Sequence, residues 1–412
     1  MHQKTTAILV TLLALSICLH VSFLSTSTCS PTAPFRSIYQ KRTHNATHTL
    51  KFIDEVIHPA SSVNPPQRTC SSEVVRNVAF IKTHKTASTT VSRIVERFGY
   101  LNNLSFVLNR NIPKNGHFYY ISLNEILRKG YFLPQRGNWS TEYSNYRYNI
   151  STVHVLYNRT IFETFMDNRT KYITILRNPI DQFVSAFGYF SFKKVVKIAN
   201  DSKALDIFME RPTFYRNRFG NSSALWRYSR NNQMFDLGLE HKFHTNVTLV
   251  KEKIKEIDEE FDFILIGDYL DESLLILRKM FCWSFEDIMY ASQNRRKTKK
   301  ESIGDDLQRK IRQWNGVDAM LYDHFNKTLW RKIAEYGNDF ERDLEHLRNL
   351  NQQLIDNCTS GEVTKIHFRG FKQTKFLLAK NATDLCKLVI DTRSTLFRRI
   401  WDAQNILKPS RN

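Results

Sequence analysis

Residues 82–90 place two lysines, a histidine and several hydroxyl side chains on one short polar stretch. An apolar run at 77–81 precedes this stretch and predicts a buried strand, and apolar residues at helical spacing over 88–98 predict a helix after it. Backbone N–H groups at a helix N-terminus attract phosphate, and neighbouring hydroxyl and ammonium groups add donors. Taken alone, this segment favours a capped helix with solvated lysines, and an anion-binding loop becomes the better interpretation only together with the second segment. The donors expected here are Lys82, Lys85, Thr86, Ser88, Thr89 and Thr90.

A second candidate for anion binding follows the apolar run at 172–176, which predicts another buried strand. Arg177 leaves the carboxyl end of that strand, where ligands of open α/β sheets bind. Pro179 suits the first turn of a helix that continues to Phe190, and Ser185 is expected to face the same site. Arginine offers phosphate a bidentate fork, and serine adds a hydroxyl. Two such elements suit a ligand with phosphates at both ends of a nucleoside, whereas Arg177 alone would also fit a surface salt bridge.

The elements that must position these residues alternate along the chain. A third apolar run at 261–267 predicts a strand, and Asp271, Glu272 and Ser273 open the helix that follows it. Continuous apolar strands separated by helices predict an α/β protein whose parallel sheet is flanked by helices. Apolar residues at helical spacing from 328 to 356 predict one long amphipathic helix.

Several common cofactor and metal motifs are absent from the sequence. No Gly-x-x-x-x-Gly-Lys-Ser/Thr, Gly-x-Gly-x-x-Gly, Gly-x-Ser-x-Gly or His-Glu-x-x-His pattern occurs. Phosphate-loop kinases, dinucleotide oxidoreductases, common serine esterases and zinc proteases therefore lose support. No Cys-x-x-Cys pair and no other metal-ligand constellation is present, and no metal is expected.

The net charge of +20 favours an acidic partner, and the N-terminus indicates which kind. Residues 5–24 carry no formal charge and are long enough for a transmembrane helix, although a cleaved signal peptide is the alternative. Lys4 then puts the short tail in the cytosol. Twelve Asn-x-Ser/Thr sequons agree with passage through the secretory pathway. This compartment argues against nucleic acid as the partner.

The resulting domain organisation has four parts. They are a cytosolic tail at 1–4, a signal-anchor helix at 5–24, a lumenal stem at 25–73 and a folded lumenal domain at 74–412. Cys70, Cys282, Cys358 and Cys386 would all be lumenal, and they predict two disulfides with three possible connectivities.

The two anion-binding segments resemble the 5′- and 3′-phosphate loops of Golgi carbohydrate sulfotransferases. The nearer resemblance is to the galactose-3-O-sulfotransferase family, which includes galactosylceramide sulfotransferase. Residues 80–90 are similar to its first signature, and residues 175–179 with 185–189 to its second. Further similar runs lie at 235–238, 271–274, 282–283 and 321–326. Residues 153–158 depart from the family's His-His-Met-Arg-Phe-Asn type of run, and this departure concerns the acceptor preference.

The resemblance implies a sulfotransferase fold with a P-loop-NTPase-like parallel sheet, a lumenal position in the Golgi membrane and single-pass type II topology. It also implies transfer of a sulfuryl group from 3′-phosphoadenosine 5′-phosphosulfate to the 3-hydroxyl of a terminal β-galactose on a glycolipid or glycoprotein. One alternative is a sulfotransferase for another glycan, such as a glycosaminoglycan uronic acid, which the positive charge suits. The other is a catalytically silent glycan-binding relative, against which the intact Lys85, Arg177 and Ser185 argue.

Roles for individual residues follow from the same resemblance. Lys85 is expected to neutralise charge on the leaving phosphate, with Lys82 in support, and Arg177 and Ser185 to anchor the 3′-phosphate. A histidine should accept the sugar proton as general base. His84, beside Lys85, is favoured, and His154 is the alternative, which would otherwise orient the acceptor. The predicted donor contacts are Lys82, Lys85, Thr86, Ala87, Ser88, Thr89, Arg177 and Ser185.

Overall fold

The computed structural model contains a sheet of four parallel strands in the order β2-β1-β3-β4. These strands are β1 (Val78–Ile81), β2 (Ile150–Ser151), β3 (Lys171–Leu176) and β4 (Phe263–Ile266). The structure describes residue 70 and residues 73–108, 147–199, 202–221, 223–291, 303–366, 372–390 and 392–405. All of them belong to one compact unit, Val56–Asn412.

Helices flank the sheet, and a separate antiparallel hairpin precedes the last two of them. In chain order the helices are α1 (Ser88–Leu101), α2 (Arg159–Glu163), α3 (Pro179–Tyr189), α4 (Phe192–Val195), α5 (Ala204–Glu210), α6 (Pro212–Asn217), α7 (Ala224–Tyr228), α8 (Asn232–Asp236), α9 (Val247–Glu260), α10 (Leu270–Phe281), α11 (Phe285–Ile288), α12 (Asp305–Trp314), α13 (Gly316–Tyr336), α14 (Phe340–Cys358), α15 (Asp384–Ile390) and α16 (Arg393–Asn405). The hairpin pairs β5 (Thr359–Ile366) with β6 (Lys372–Leu378).

The three predicted strands are confirmed, because β1, β3 and β4 lie within one or two residues of the apolar runs. Every residue of β1 and β4 is buried, as expected for a parallel sheet covered by helices. Helix α1 packs against β1 and β2, whereas α10 and α13 pack against β4. The chain is therefore a mixed α/β protein with a parallel sheet flanked by helices.

The strand order predicts a ligand-binding crevice at the carboxyl edge of the sheet. The chain leaves β1 towards β2 on one side, and it leaves β3 towards β4 on the other. Ligands of open α/β sheets bind where neighbouring connections diverge in this way. The polar segments that follow β1 and β3 therefore face a common crevice.

The single long helix predicted from 328 to 356 is wrong. The structure has α13 and α14 instead, separated at Gly337, whose φ of +91° is in the region that favours glycine. The Tyr336 hydroxyl donates to Asp343 across this turn at 2.6 Å. Apolar spacing continues through the turn because both helices pack on the same core, so periodicity alone did not reveal the break.

Two disulfides join the four cysteines that were predicted to pair. Cys70 is bonded to Cys282 and Cys358 to Cys386, which selects one of the three connectivities. The predicted anchor at 5–24 and nearly all of the predicted stem lie outside the described residues. No helix within the described part of the chain is long and apolar enough to span a membrane.

Candidate functional site

The loop between β1 and α1 is held in shape by its own hydroxyl groups. Thr83 donates from Oγ1 to the carbonyl of Ile175 at 2.5 Å, which ties the loop to β3. Ser88 donates to the Thr83 carbonyl at 2.6 Å, and the Thr83 and Thr86 hydroxyls lie 2.7 Å apart. The hydroxyls of Thr86 and Ser88, predicted to face an anion, are thus engaged within the loop. The groups left to meet an anion are mainly backbone amides.

The backbone of this loop has the form that gathers amide groups around an anion. Lys85 and Ala87 both have positive φ, at 63° and 71°, with Thr86 between them. Turns with alternating handedness direct successive N–H groups into one concavity. Ala87 caps α1 without a side-chain hydrogen bond, and no acidic residue lies in the first turn. The N-terminus of α1 therefore keeps its attraction for an anion.

A glycine after β4 makes room for the loop. A Cβ on Gly267 would lie 2.7 Å from the backbone oxygen of Thr86 and 3.4 Å from that of Leu176. Contacts below about 3 Å require the backbone to shift, so a larger residue here would displace the loop. Gly267 ends the third apolar run, and sequence analysis gave it no role.

Arg177 and Lys85 lie side by side, as expected if the two anion-binding segments form one site. Nη1 of Arg177 donates to the backbone oxygen of Lys85 at 3.4 Å. Gln233 fixes the backbone of Arg177, accepting from its N–H at 2.8 Å and donating to its carbonyl at 2.9 Å. Gln233 is fully buried. The half-buried Arg177 side chain is therefore presented from a rigid segment.

Helix α3 turns one face towards the loop. Gln182 donates to the His84 carbonyl at 2.9 Å, and the Tyr189 ring lies under the Lys85 ammonium, with 3.7 Å between Nζ and the ring centroid. Ser185 lies between these residues at helical spacing of three and four, so it shares their face. The predicted Ser185 therefore lies on the side of α3 that faces the loop.

His84 is held by a carboxylate that sequence analysis did not select. Asp236 accepts from the His84 backbone N–H at 2.8 Å, and its two oxygens lie 2.8 and 3.0 Å from Nδ1. The two side chains are 13% and 7% exposed. Because a carboxylate only accepts, Nδ1 carries a proton, and Nε2 is the ring nitrogen that can accept one. Nε2 is buried and has no hydrogen-bond partner among the described residues.

His154 and Tyr228 complete the surroundings of His84. The His154 ring stacks on His84 with centroids 4.6 Å apart, and the Tyr228 ring lies 4.3 Å from His84. Burial holds the pKa of His154 well below its usual value, and the neighbouring His84 and Lys82 add to this effect. The structure thus brings both candidate bases together, with His154 as a neutral ring against His84.

Lys82 lies beneath the loop rather than in solvent. It is 4% exposed, and its Nζ donates to the Thr89 hydroxyl at 3.2 Å. Burial and the nearby Arg393 lower the pKa of Lys82 well below its usual value. Arg393 in turn donates to the fully buried Glu96 at 2.7 Å. Lys82 therefore connects the loop to a buried charge network.

The predicted donor contact Thr89 also borders a basic cavity. Its volume is about 140 Å³, and its walls include Thr89, Thr90, Arg93, Arg97, Lys375 and Arg393. Arg97 is occupied there by the backbone oxygens of Glu286, Asp287 and Met289 at 2.7 to 3.0 Å. No group of three or more histidine, cysteine, aspartate or glutamate side chains suited to a metal ion occurs within the described ranges.

Three residues that organise the site were missed by sequence reasoning: Gln182, Gln233 and Asp236. Asp236 belongs to a run that was noted only for its resemblance. Gln182 lies on α3, five residues after Arg177, and nothing in its position in the sequence indicates that it contacts the loop. Gln233 and Asp236 lie more than 50 residues from the groups that they hold, since Gln233 contacts Arg177 across 56 positions and Asp236 contacts His84 across 152.

Fold and site together define an α/β protein with a loop whose geometry suits an anion and an oriented histidine at the carboxyl edge of its sheet. Comparison with known proteins gives the family. Residues 2–374 match the model of the galactose-3-O-sulfotransferase family, and the chain belongs to this family.

Individual relatives agree with this assignment. The chain is 32% identical over 302 residues to galactose-3-O-sulfotransferase 3 of Mus musculus, and this alignment covers 69% of this chain and 64% of that protein. It is 32% identical over 290 residues to galactose-3-O-sulfotransferase 2 of Homo sapiens, covering 69% and 68%. It is 31% identical over 294 residues to galactosylceramide sulfotransferase of Bos taurus, covering 69% and 64%. The match thus spans 64% of the length of two of these three relatives and 68% of the third.

Proposed function

We propose that this protein is a sulfotransferase with a P-loop-NTPase-like sheet that moves a sulfuryl group from 3′-phosphoadenosine 5′-phosphosulfate to the 3-hydroxyl of a terminal β-galactose. The acceptor would be a glycolipid or glycoprotein glycan. The observation that carries this proposal is the position of His84, which is adjacent to Lys85 in the proposed anion-binding loop and whose buried Nε2 lacks a hydrogen-bond partner within the described ranges. Membership of the family and the names of the relatives support galactose as the acceptor.

The residues present fit a donor with anionic groups at two positions. The loop amides and the N-terminus of α1, which lacks acidic residues in its first turn, suit the 5′-phosphosulfate. Lys85 lies in the same loop and suits the charge there. Arg177 and Ser185 come from the neighbouring segment and suit the 3′-phosphate. When bound, the donor supplies the sulfuryl group.

The proposed transfer leaves three tasks to the protein. As the sugar oxygen bonds to sulfur and the bond from sulfur to the bridging phosphate oxygen breaks, Nε2 of His84 accepts the hydroxyl proton. Asp236 holds the ring and stabilises the imidazolium that forms. Lys85 neutralises the negative charge that develops on the leaving phosphate. The products are the sulfated sugar, 3′-phosphoadenosine 5′-phosphate and the proton that His84 has accepted and then releases to solvent, so atoms and charge balance.

His84 is proposed as the base rather than His154 because of Asp236. An orienting carboxylate on one ring nitrogen and a free lone pair on the other are the features of a general base. His154 packs its ring against His84 and lies just beyond β2. Its proposed role is to keep the His84 ring in place and to orient the acceptor.

The proposed location is the Golgi membrane, with residues 5–24 as a single-pass type II anchor and the catalytic domain in the lumen. The hydrophobic segment and the sequons support this location. Peptide N-glycosidase should lower the apparent mass of the expressed protein, and protease added outside sealed microsomes should spare it. An unglycosylated, protease-accessible chain would contradict both the anchor and the compartment.

The experiment that tests the function is transfer of radiolabelled sulfate from the donor to a panel of acceptors. The panel comprises lactose, galactosylceramide, Galβ1-3GalNAc, Galβ1-4GlcNAc and desulfated heparin. We expect label on galactose-terminated acceptors, at the 3-hydroxyl when the product is analysed by periodate oxidation. Label on desulfated heparin alone would replace galactose with a uronic acid acceptor, and no label on any acceptor would favour a silent glycan-binding protein.

A further inference from the structure

One short helix contacts both ends of the proposed site. Gln233 of α8 forms two hydrogen bonds with the backbone of Arg177, the proposed anchor of the 3′-phosphate. Asp236, one turn further along α8, holds the proposed base His84. A displacement of α8 would therefore move the donor anchor and the base together.

The N-terminus of α8 is held by α13. The two carboxylate oxygens of Asp318 accept from the backbone N–H groups of Gln233 and Met234 at 3.1 and 2.9 Å. Asn231, just before α8, accepts from the Asp318 backbone N–H at 3.4 Å and donates its own N–H to the Asn315 side chain at 2.9 Å. These bonds are reciprocal, so each helix start caps the other.

Asp318 is an unusual residue to find at such a position. It is fully buried, and within the described residues no basic side chain forms an ion pair with it. A buried carboxyl without a cation is costly, and burial raises the pKa of Asp318 to about 7. Groups with strongly shifted pKa values gather at functional sites. Within the described residues, the hydrogen bonds to its two oxygens come from α8, the helix that contacts both Arg177 and His84.

We propose that Asp318 is a positioning residue that aligns the donor anchor Arg177 with the base His84 through α8. The inference rests on the proposed function, since it assigns Asp318 a part in the same transfer. It predicts that a change at Asp318 affects donor binding and the chemical step at once, although Asp318 touches neither substrate. Changes at Gln233 and Asp236 should separate these effects, with Gln233→Ala acting mainly on donor KM and Asp236→Asn mainly on kcat.

The test compares Asp318→Asn with a control at another buried carboxylate. In Asp318→Asn the amide faces one backbone N–H with its own NH₂ group, so one capping bond is lost. Asp343→Asn is the control, because Asp343 is 9% exposed and binds Arg278 and Tyr336 without contacting α8. Steady-state kcat and donor KM, calorimetric affinity for 3′-phosphoadenosine 5′-phosphate and the melting temperature are measured on each full-length variant.

We expect Asp318→Asn to lower kcat and to raise donor KM, each by about 10–100-fold, the scale associated with small misplacement of reacting groups. Asp343→Asn should lower only the melting temperature. Normal kinetics in folded Asp318→Asn, or the same kinetic loss in Asp343→Asn, would overturn the inference while leaving the proposed function intact. If Asp318→Asn does not fold, Asn315→Ala replaces it and should shift kcat and KM in the same directions, and unchanged values would overturn the inference. A wild type without transfer or nucleotide binding would overturn the proposed function and this inference together.

Discussion

The two halves of the proposed site are built in different ways. The donor half, consisting of residues 82, 83 and 85–88 with Arg177, is shaped by contacts within the loop and to the adjacent strand, such as Ser88 to Thr83 and Thr83 to Ile175. The base half, consisting of His84, His154, Tyr228 and Asp236, is assembled from four distant segments. Asp236 reaches His84 across 152 positions of the chain.

This difference separates a site that is mostly backbone from one that is mostly side chain. In the donor half, positive φ at Lys85 and Ala87 and an uncapped helix N-terminus provide the attraction for an anion. In the base half, function depends on one carboxylate fixing one imidazole. The donor half should therefore tolerate loss of a hydroxyl, whereas the base half should fail when either His84 or its carboxylate partner Asp236 is removed.

The largest effect is expected for Lys85→Ala, because Lys85 serves both binding and chemistry. Removing a group that stabilises transition-state charge costs about 10²–10³ in kcat. Losing a charged partner of the donor costs about 1.5–3 kcal/mol in affinity, so kcat/KM should fall by roughly 10³–10⁵. Steady-state kinetics measure kcat and KM, and calorimetry measures the affinity for 3′-phosphoadenosine 5′-phosphate.

The control is Lys171→Ala, because Lys171 is an exposed lysine paired with Asp262 at the other end of β3. This variant should leave kcat, KM and the nucleotide affinity unchanged. A loss confined to affinity would remove Lys85 from the chemical step.

A smaller effect, confined to the donor half, is expected for Arg177→Ala. Its affinity for 3′-phosphoadenosine 5′-phosphate should weaken by about 1.5–3 kcal/mol, and discrimination against 5′-AMP should shrink. Calorimetry measures both quantities. Arg159→Ala is matched in chemistry, since Arg159 is partly buried over the Tyr172 ring at 3.8 Å, and it should bind like wild type. Unchanged affinity in folded Arg177→Ala would reduce Arg177 to a structural residue.

The smallest effect concerns the pH dependence of stability in the base half. Burial lowers the pKa of His154 in the folded chain. Below about pH 6.5, His154 is therefore protonated in the unfolded chain but not in the folded chain. The stability due to the neutral ring is complete above pH 6.5 and is lost as pH falls. His154→Gln should therefore reduce the loss of unfolding free energy between pH 6.5 and 5 by up to about 1.4 kcal/mol per pH unit. Urea titrations at several pH values measure this slope, with His324→Gln as the control, because His324 is only partly buried and lies beside Asp258 on the surface. Identical slopes for wild type and His154→Gln would show that His154 is not kept neutral by folding.

The sequence predicts the donor half better than the base half because of how each is built. Apolar runs before residues 82 and 177, followed by hydroxyl and basic residues, predict the strands and the loop, since each pattern is local. Asp236 and Gln233 were not predicted because their partners are found only when α8 packs beside the sheet edge. The break at Gly337 was missed for a similar reason, since the apolar periodicity continues through it. The hydroxyls of Thr86 and Ser88 were predicted to face an anion because of their chemistry. In the structure they form hydrogen bonds inside the loop instead.

The measurement that tests the account most directly is the single-turnover rate of sulfuryl transfer by His84→Ala with the donor already bound. A correctly placed base contributes about 10²–10⁴ in rate. The account predicts a loss of this size with donor affinity near that of wild type, and a clearly smaller loss for His154→Ala. A His84→Ala enzyme that transfers at nearly the wild-type rate, while His154→Ala does not, would contradict the account and make His154 the base.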